Sequence, residues 1–346
     1  MNFSNASLSK LTLHFVGNKN SDGKFISSSE SVILSDELKS KLTVYYLTKF
    51  NNVAERYRFY HLSSLKFNEV YNFVSEIFST QNEVGRISKE IAKHLFEKSV
   101  HPNIKPGELH VCLFTNCEYN NQSVDAIGIF KTEDKSGFFE VAENSKSLSL
   151  KYKEGIDINK FEKGCLIFNS GKKNGYEICI IDNQNRKEEA KYWMDEFLGV
   201  IQISNDFSQT NQLLTLTKNY ITNQIVEEFE VTKTDQIDLL NRSIDYFKSH
   251  DAFDKKEFEK EVFYHPEMIK SFRNFDSQYR QNNEIDIGDN FDISTQAVKK
   301  QARVFKSVLK LDKNFHIYIH GDKEMIEKGV EKDGRKYYKI YYENES

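Results

Sequence analysis

The chain has 346 residues, of which 29% are charged and 13% aromatic, with three prolines and a formal net charge of −4. That length accommodates two or three domains with sizeable cores. The acidic balance excludes a uniformly basic coat protein, so any contact with nucleic acid must use a local patch.

No apolar run approaches the roughly 18 residues needed to cross a bilayer, so no membrane span is expected. The opening residues MNFSNASLSKLTLHF lack a basic stretch followed by an apolar one, and no secretory signal is read there. The cysteines are Cys112, Cys117, Cys165 and Cys179. Cys112 and Cys117 are five apart in a strand-like run, which places their side chains on opposite faces and disfavours a disulfide. All four read as reduced core thiols, the cytoplasmic pattern.

In chain order, Lys10–Val16 alternates and predicts a strand, followed by a polar turn and a second short strand at Ser31–Leu34. Ser35-Asp36-Glu37 starts a helix to about Phe50, with Leu38, Leu42, Tyr45 and Tyr46 inward. Tyr57–Leu62 is ambiguous. Helices follow at Ser64–Phe78 and Ser88–Lys98. The period then changes to two. Leu109–Tyr119, Val124–Lys131, Gly137–Val141, Leu148–Tyr152, Gly164–Asn169 and Glu177–Ile181 predict six strands, and their short connections point to an antiparallel meander. Gly171–Gly175 reads as a hairpin tip.

Arg186–Val200 returns to helical period, with Trp193, Met194, Phe197 and Leu198 on one face and Gly199 closing it. Helices are predicted at Gln209–Glu227, Lys233–Lys248, Asp254–Val262 and Pro266–Tyr279, the third opening on an Asp254-x-x-Glu257 cap. Glu227–Glu261 carries eleven acids against six bases, an acidic helical middle. Gln281–Asp292 reads as a polar connector. Phe315–Ile319 predicts a strand, and Gly329–Tyr342 a hairpin turning at Asp333-Gly334. The expected fold class is α+β: N-terminal helices on an antiparallel sheet, an acidic helical middle, and a small basic β-rich C-terminal module. The expected division is residues 1–205, 206–283 and 284–346.

The stretch Ser294–Lys313, STQAVKKQARVFKSVLKLDK, reverses the charge of the chain. Lys299, Lys300, Arg303, Lys306, Lys310 and Lys313 face a single acid, Asp312. The spacing predicts a helix over about Thr295–Ala302, then a strand and a turn at Asp312-Lys313-Asn314. A dense basic run is as often a solvated face as a phosphate-binding surface. Lys270 and Arg273 add a second basic run on the last helix before it, diluted by Glu267 and Asp276. The C-terminal aromatics, including Phe315, Tyr318, Tyr341 and Tyr342, fit a hairpin core better than a base-stacking platform.

No phosphate-binding glycine loop, dinucleotide fingerprint, zinc-protease helix or nucleophile elbow occurs. Asp286, Asp289 and Asp292 lack the closing glutamate of a calcium loop. His316 and His320 lack carboxylate or thiol partners nearby. No Asp…(Asp/Glu)-x-Lys set for a metal-dependent nuclease is found, and no catalytic residue, metal or cofactor is expected.

Several stretches, in one order, resemble the bacterial nucleoid-associated protein family of the YejK/NdpA type. They are ELHVCLFTNCEY, VDAIGIFKTE, YKEGIDINKFEKGCLIFN, YWMDEFLGV and FDISTQAVKKQARVFKSVLKLDKNFHIYIHG. The resemblance is most specific at Gly155–Asn159, Trp193–Gly199 and the basic stretch. It implies a cytoplasmic, nucleoid-located, non-enzymatic protein whose partner is double-stranded DNA. The basic residues Lys299, Lys300, Arg303, Lys306, Lys310, Lys313, Lys270 and Arg273 are then the expected phosphate contacts. The alternatives are an adaptor for a nucleic-acid-processing protein, docking through the acidic helices, and a cryptic metal-dependent nuclease. A homodimer is compatible, because two weak patches gain by linkage, but no sequence feature requires one.

Overall fold

The computed structural model describes the chain except for Asp22, 145–146, 160–161, 183–191, Glu284, 306–307, 319–324 and 344–346. It is a mixed α+β protein with two compact units, Met1–Ile203 and Ser204–Ser346.

The first unit is built on an eight-stranded antiparallel sheet. Its strands are β1 (Ser7–Val16), β2 (Phe25–Ile26), β3 (Tyr57–Phe59), β4 (Gly107–Tyr119), β5 (Gln122–Thr132), β8 (Lys163–Phe168), β9 (Glu177–Asp182) and β10 (Val200–Gln202), in the order β10-β3-β9-β8-β5-β4-β1-β2. Helices α2 (Glu69–Ser79) and α3 (Val84–Lys98) cover one face, with Val74, Ile77, Ile87 and Ile91 against Val111, Leu113, Ile129 and Ile167. Helix α1 (Asp36–Leu47) covers the other, where Tyr46, Leu47 and Phe50 meet Phe114, Phe130 and Leu166. The central strands are therefore buried on both sides, and β8 is buried at every position. This is why they read as continuous apolar runs rather than clean alternation.

Four expectations are corrected here. The meander is interrupted: β6 (Lys135–Asn144) and β7 (Ser147–Ile156) leave the sheet between β5 and β8 and pair only with each other. Ser31–Leu34 forms no strand; Phe25–Ile26 takes the place beside β1, and Ile33 is fully exposed. Ser64 caps a single 3-10 turn, Leu65–Phe67, and α2 starts only at the Asn68 cap. Cys112 and Cys117 share one face. The register with β5 shifts between Phe114 and Cys117, with Asn116 at φ +57°, and this bulge reverses the parity of the strand.

Within the expected helix Arg186–Val200, 183–191 lie outside the described residues, and Tyr192–Leu198 is π-helical. Trp193, Phe197 and Leu198 are buried against α2 and α3, and Gly199 ends the segment at φ +60°. The Asn68 amide binds this end: Nδ2 donates to the Leu198 and Gly199 carbonyls, both at 2.9 Å, while Oδ1 accepts from the Tyr71 amide of α2 at 2.8 Å.

In the second unit α4 (Asp206–Asn219) starts at an Asn205 capping box and continues through a π-helical turn into Ile225–Glu228. It packs with α5 (Lys233–Ser249), α6 (Lys255–Phe263) and α7 (Pro266–Asn283) around Tyr220, Phe247, Phe258, Phe263 and Phe272. The Asp254 side chain caps α6 as expected, accepting from the Glu257 amide at 2.9 Å. The polar connector contributes more than expected. Ile287, Phe291 and Ile293 enter this core, and β12 (Asn290–Asp292) pairs with β11 (Ala252–Asp254). Helix α8 (Thr295–Ala302) precedes two hairpins, β13–β14 (Val308–Leu311, Phe315–Tyr318) and β15–β16 (Ile326–Val330, Lys336–Ile340). The hairpins meet α5 through Leu309 on Ile237, with Leu311, Ile317, Ile326 and Tyr338 around them.

Candidate nucleic-acid interface

Helix α8 has the bounds its sequence predicts, and its packing determines which side chains reach solvent. The Ser294 hydroxyl caps it, and the Ser294 amide donates to Thr210 Oγ1 at 3.1 Å. Ala297 and Val298 are buried, the latter in the core shared with α4 and α5. The Gln301 amide donates to Asn211 Oδ1 at 2.6 Å and Thr215 Oγ1 at 3.2 Å, which fixes the roll of α8 on α4. Lys299, Lys300 and Arg303 are left exposed at i, i+1 and i+4, on the outer side of the helix. Lys300 Nζ lies 5.4 Å from the centre of the Phe207 ring. Among the described residues Lys299 and Arg303 have no carboxylate partner. Their place in and just past the last turn also complements the helix dipole, so part of their role is local.

The remaining sequence-predicted contacts divide. Lys313 is exposed in the β13–β14 turn, where Asp312 takes φ +51°. Lys310 lies in β13 opposite His316. Lys306 lies outside the described residues. Lys270 is exposed on α7. Arg273, though exposed, is held by a nearly buried carboxylate: its Nε lies 3.0 and 2.9 Å from the two Glu259 oxygens, and one terminal nitrogen is 2.6 Å from Oε2. That bidentate geometry engages one edge of the guanidinium and offsets its charge, so less of it is available to a phosphate. Arg280 donates through Nε alone to Asp276 Oδ1 at 2.6 Å and through a terminal nitrogen to the Ile287 carbonyl, and Lys255 reaches the other Asp276 oxygen at 2.8 Å. Part of the acidic excess of the helical middle is thus neutralised inside the unit, which weakens the opposing field at its surface.

The C-terminal aromatics divide: Phe305 is buried in the core of the unit and Tyr337 and Tyr338 are half-buried, the latter on Leu309 and Ile237. Phe315, Tyr318, Tyr341 and Tyr342 are exposed rather than forming a hairpin core. A two-stranded hairpin has two faces, and its packing on α5 uses Leu309, Ile317 and Tyr338. Exposed rings beside cations are compatible with stacking on bases as well as with solvation.

Sequence reasoning missed two features. Lys131 and Lys163 are fully buried in the first unit. Lys131 Nζ is 2.9 Å from Glu133 Oε1 and 2.6 Å from the Lys105 carbonyl, while Lys163 Nζ is 3.3 Å from Asp182 Oδ1. Both ammonium groups lie 5.9 Å from the Tyr192 ring centre. A lysine closing an otherwise apolar strand, as in Ile129-Phe130-Lys131, was the available signal. The second feature is a donor group on the second unit. Ligand atoms of His250, Glu257 and Glu261 lie within 4.8 Å of one another, and His250 Nδ1 is 3.0 Å from the Tyr246 carbonyl. Both carboxylates are exposed.

Burial shifts several titrating groups. The Cys117 thiol is pushed up to about 12 and Cys179 to about 11, and Cys112 and Cys165 are raised further, each mainly by desolvation. All four thiols are free and buried. His14 and His110 are lowered to about 4 by burial. None of these groups lies on α8.

The fold and this surface define a two-unit α+β protein with a cationic face on a short, capped helix. The family model for nucleoid-associated protein YejK (NA37) matches residues 13–335. The chain belongs to that family, as its sequence resemblance implied. No curated protein matches it. Among the described residues no helix is long and apolar enough to cross a membrane.

Proposed function

We propose that the protein is a non-enzymatic, largely sequence-nonspecific binder of duplex DNA that acts at the nucleoid in the cytoplasm. Family membership supports the class. The observation that carries the site is the seating of α8, which presents Lys299, Lys300 and Arg303 to solvent with buried Ala297 and Val298 as anchor. Lys313, Lys306, Lys310 and Lys270 extend the phosphate-contacting set in this reading. Arg273 contributes least, because Glu259 already holds it.

The test is titration of duplex DNA at several salt concentrations against Lys299→Ala/Lys300→Ala/Arg303→Ala/Lys313→Ala. Each phosphate contact contributes about 0.9 to the slope of log K against log salt, so loss of these four lowers the slope by about 3–4. Unchanged affinity and slope remove the segment from the DNA site. The second reading is an adaptor for a nucleic-acid-processing protein. It draws on the exposed acids Glu227, Glu230, Asp251, Glu257 and Glu261. Lack of DNA binding at physiological salt, together with co-purification of one specific partner, would favour it.

A further inference from the structure

The ribbon β6–β7 is not part of the sheet it interrupts, and its two faces differ in chemistry. Its register places Phe139 opposite Tyr152 and Val141 opposite Leu150 on one face, an apolar centre flanked by Glu143 opposite Leu148 at one end and by Glu154 opposite Gly137 and Lys135 opposite Ile156 at the other. The other face pairs Glu140 with Lys151, Phe138 with Lys153, and Ala142 with Ser149. The ribbon is open to solvent on both sides, with Phe138, Lys151 and Lys153 exposed on the polar one, so the apolar side is bare. Phe139 is 69% exposed, Val141 64%, Leu148 73%, Leu150 65% and Tyr152 61%. The face is ordered by its own contacts: the Tyr152 ring lies across Gly137, and Phe139 meets Tyr152 edge-on at 5.9 Å. At its foot, Ile156 and Ile158 line an open groove of about 790 Å³ with Leu38, Leu42, Val44 and Tyr45 of α1. A two-stranded ribbon alone is marginal in water, and a contiguous apolar face of this kind marks an interaction surface.

We propose that this face is a self-association surface, covered by the same face of a second copy of the chain around a two-fold axis. Two observations favour that occupant. The first is area. Five such side chains expose about 600 Å² per ribbon, so face-to-face packing of two copies can bury up to roughly 1,200 Å² from these residues, the lower edge of a standard stable interface. The second is charge. The two strands carry three lysines and three glutamates, so like copies do not repel. Lys153 is bound to Glu140 at 2.7 Å and Lys135 to Glu108 at 2.8 Å, which leaves little cationic character to attract phosphate. A two-fold contact is self-complementary and needs no second surface on the molecule. This inference is independent of the DNA reading, because α8 lies in the other unit.

The test measures the mass of the full chain by sedimentation across a concentration series. A dimer is expected. Val141→Lys combined with Leu150→Lys, a cross-strand pair in the middle of the face, is expected to yield monomer, whereas Ser149→Lys on the opposite face leaves the dimer intact. Because two lysines could unfold the ribbon, Leu150→Cys supplies a milder check. It is expected to form an intermolecular disulfide under mild oxidation, while Ser149→Cys does not. Monomer at every concentration overturns the proposal, including the case in which another segment of the chain covers the face. So does a dimer that survives the lysine pair and gives no Leu150→Cys cross-link, or an apolar-face variant that loses DNA binding without changing its mass.

Discussion

Lys131→Met removes the ammonium that neutralises Glu133 in the interior. The two side chains are 0% and 1% exposed and the ion pair is 2.9 Å long, so the variant leaves a buried carboxylate without that cation. Breaking a buried pair from one side costs about 3–5 kcal/mol, because the stranded charge keeps its desolvation penalty and loses its Coulomb partner. For a unit of about 200 residues each kcal/mol corresponds to roughly 2–4 °C, so the midpoint should fall by roughly 6–20 °C. Replacing both members, Lys131→Met with Glu133→Leu, removes the penalty with the pair and should recover most of the loss. Trp193 is the only tryptophan in the chain and is fully buried in the first unit. Its fluorescence therefore reports unfolding of that unit separately from the second, in urea or on heating. A cost below about 1 kcal/mol for Lys131→Met would refute the reasoning, as would a double variant no better than the worse single one.

His14 and His110 should make the first unit acid-labile. Each is held near 4 in the fold against an ordinary value of 6.5, so between those values the unfolded chain binds more protons and stability rises with pH. Their contribution is complete above pH 6.5 and is lost as pH falls toward 4, at about 3 kcal/mol for each histidine. A histidine-to-glutamine variant at His14, which faces Ser88 Oγ at 3.1 Å, should flatten that part of the stability profile measured by urea unfolding. The four buried thiols should react with a thiol reagent only after denaturant is added; rapid reaction of any of them in the native protein would contradict the packing.

Much of the fold was legible because local signals agreed with tertiary demand. The Asp254 cap, the Asp333-Gly334 turn and the bounds of α8 rest on side chain–backbone chemistry that short sequence windows contain. The failures share a cause: they depend on partners remote in sequence. The Cys112–Cys117 parity was reversed by a bulge that only the pairing with β5 defines. Gly137–Val141 and Leu148–Tyr152 have the alternation of sheet strands, and nothing local says that they leave the sheet. The Gln281–Asp292 stretch looked like solvated linker because its polar and acidic residues outnumber its apolar ones, yet Ile287 and Phe291, with Ile293 just beyond, close a core. At the candidate site, the exposure of Lys299, Lys300 and Arg303 followed from helical spacing, since Val298 and Ala302, four apart, already supply an apolar side for packing. The sequestering of Arg273 did not, because Glu259 lies on a different helix.

The position of β3 sets an order of assembly. Tyr57–Phe59 lies between β9 and β10, so a strand made early is hydrogen-bonded on both sides by segments made late, Glu177–Asp182 and Val200–Gln202. The β4–β5 and β8–β9 hairpins can form from neighbouring sequence as the chain emerges, whereas β3 must wait for more than a hundred further residues. Until then its unpaired edges and the apolar residues around Phe59 are open to solvent and to other chains. The vulnerable interval in the life of this protein is therefore the time on the ribosome before Gln202 appears, and slow elongation between residues 60 and 200 would lengthen it.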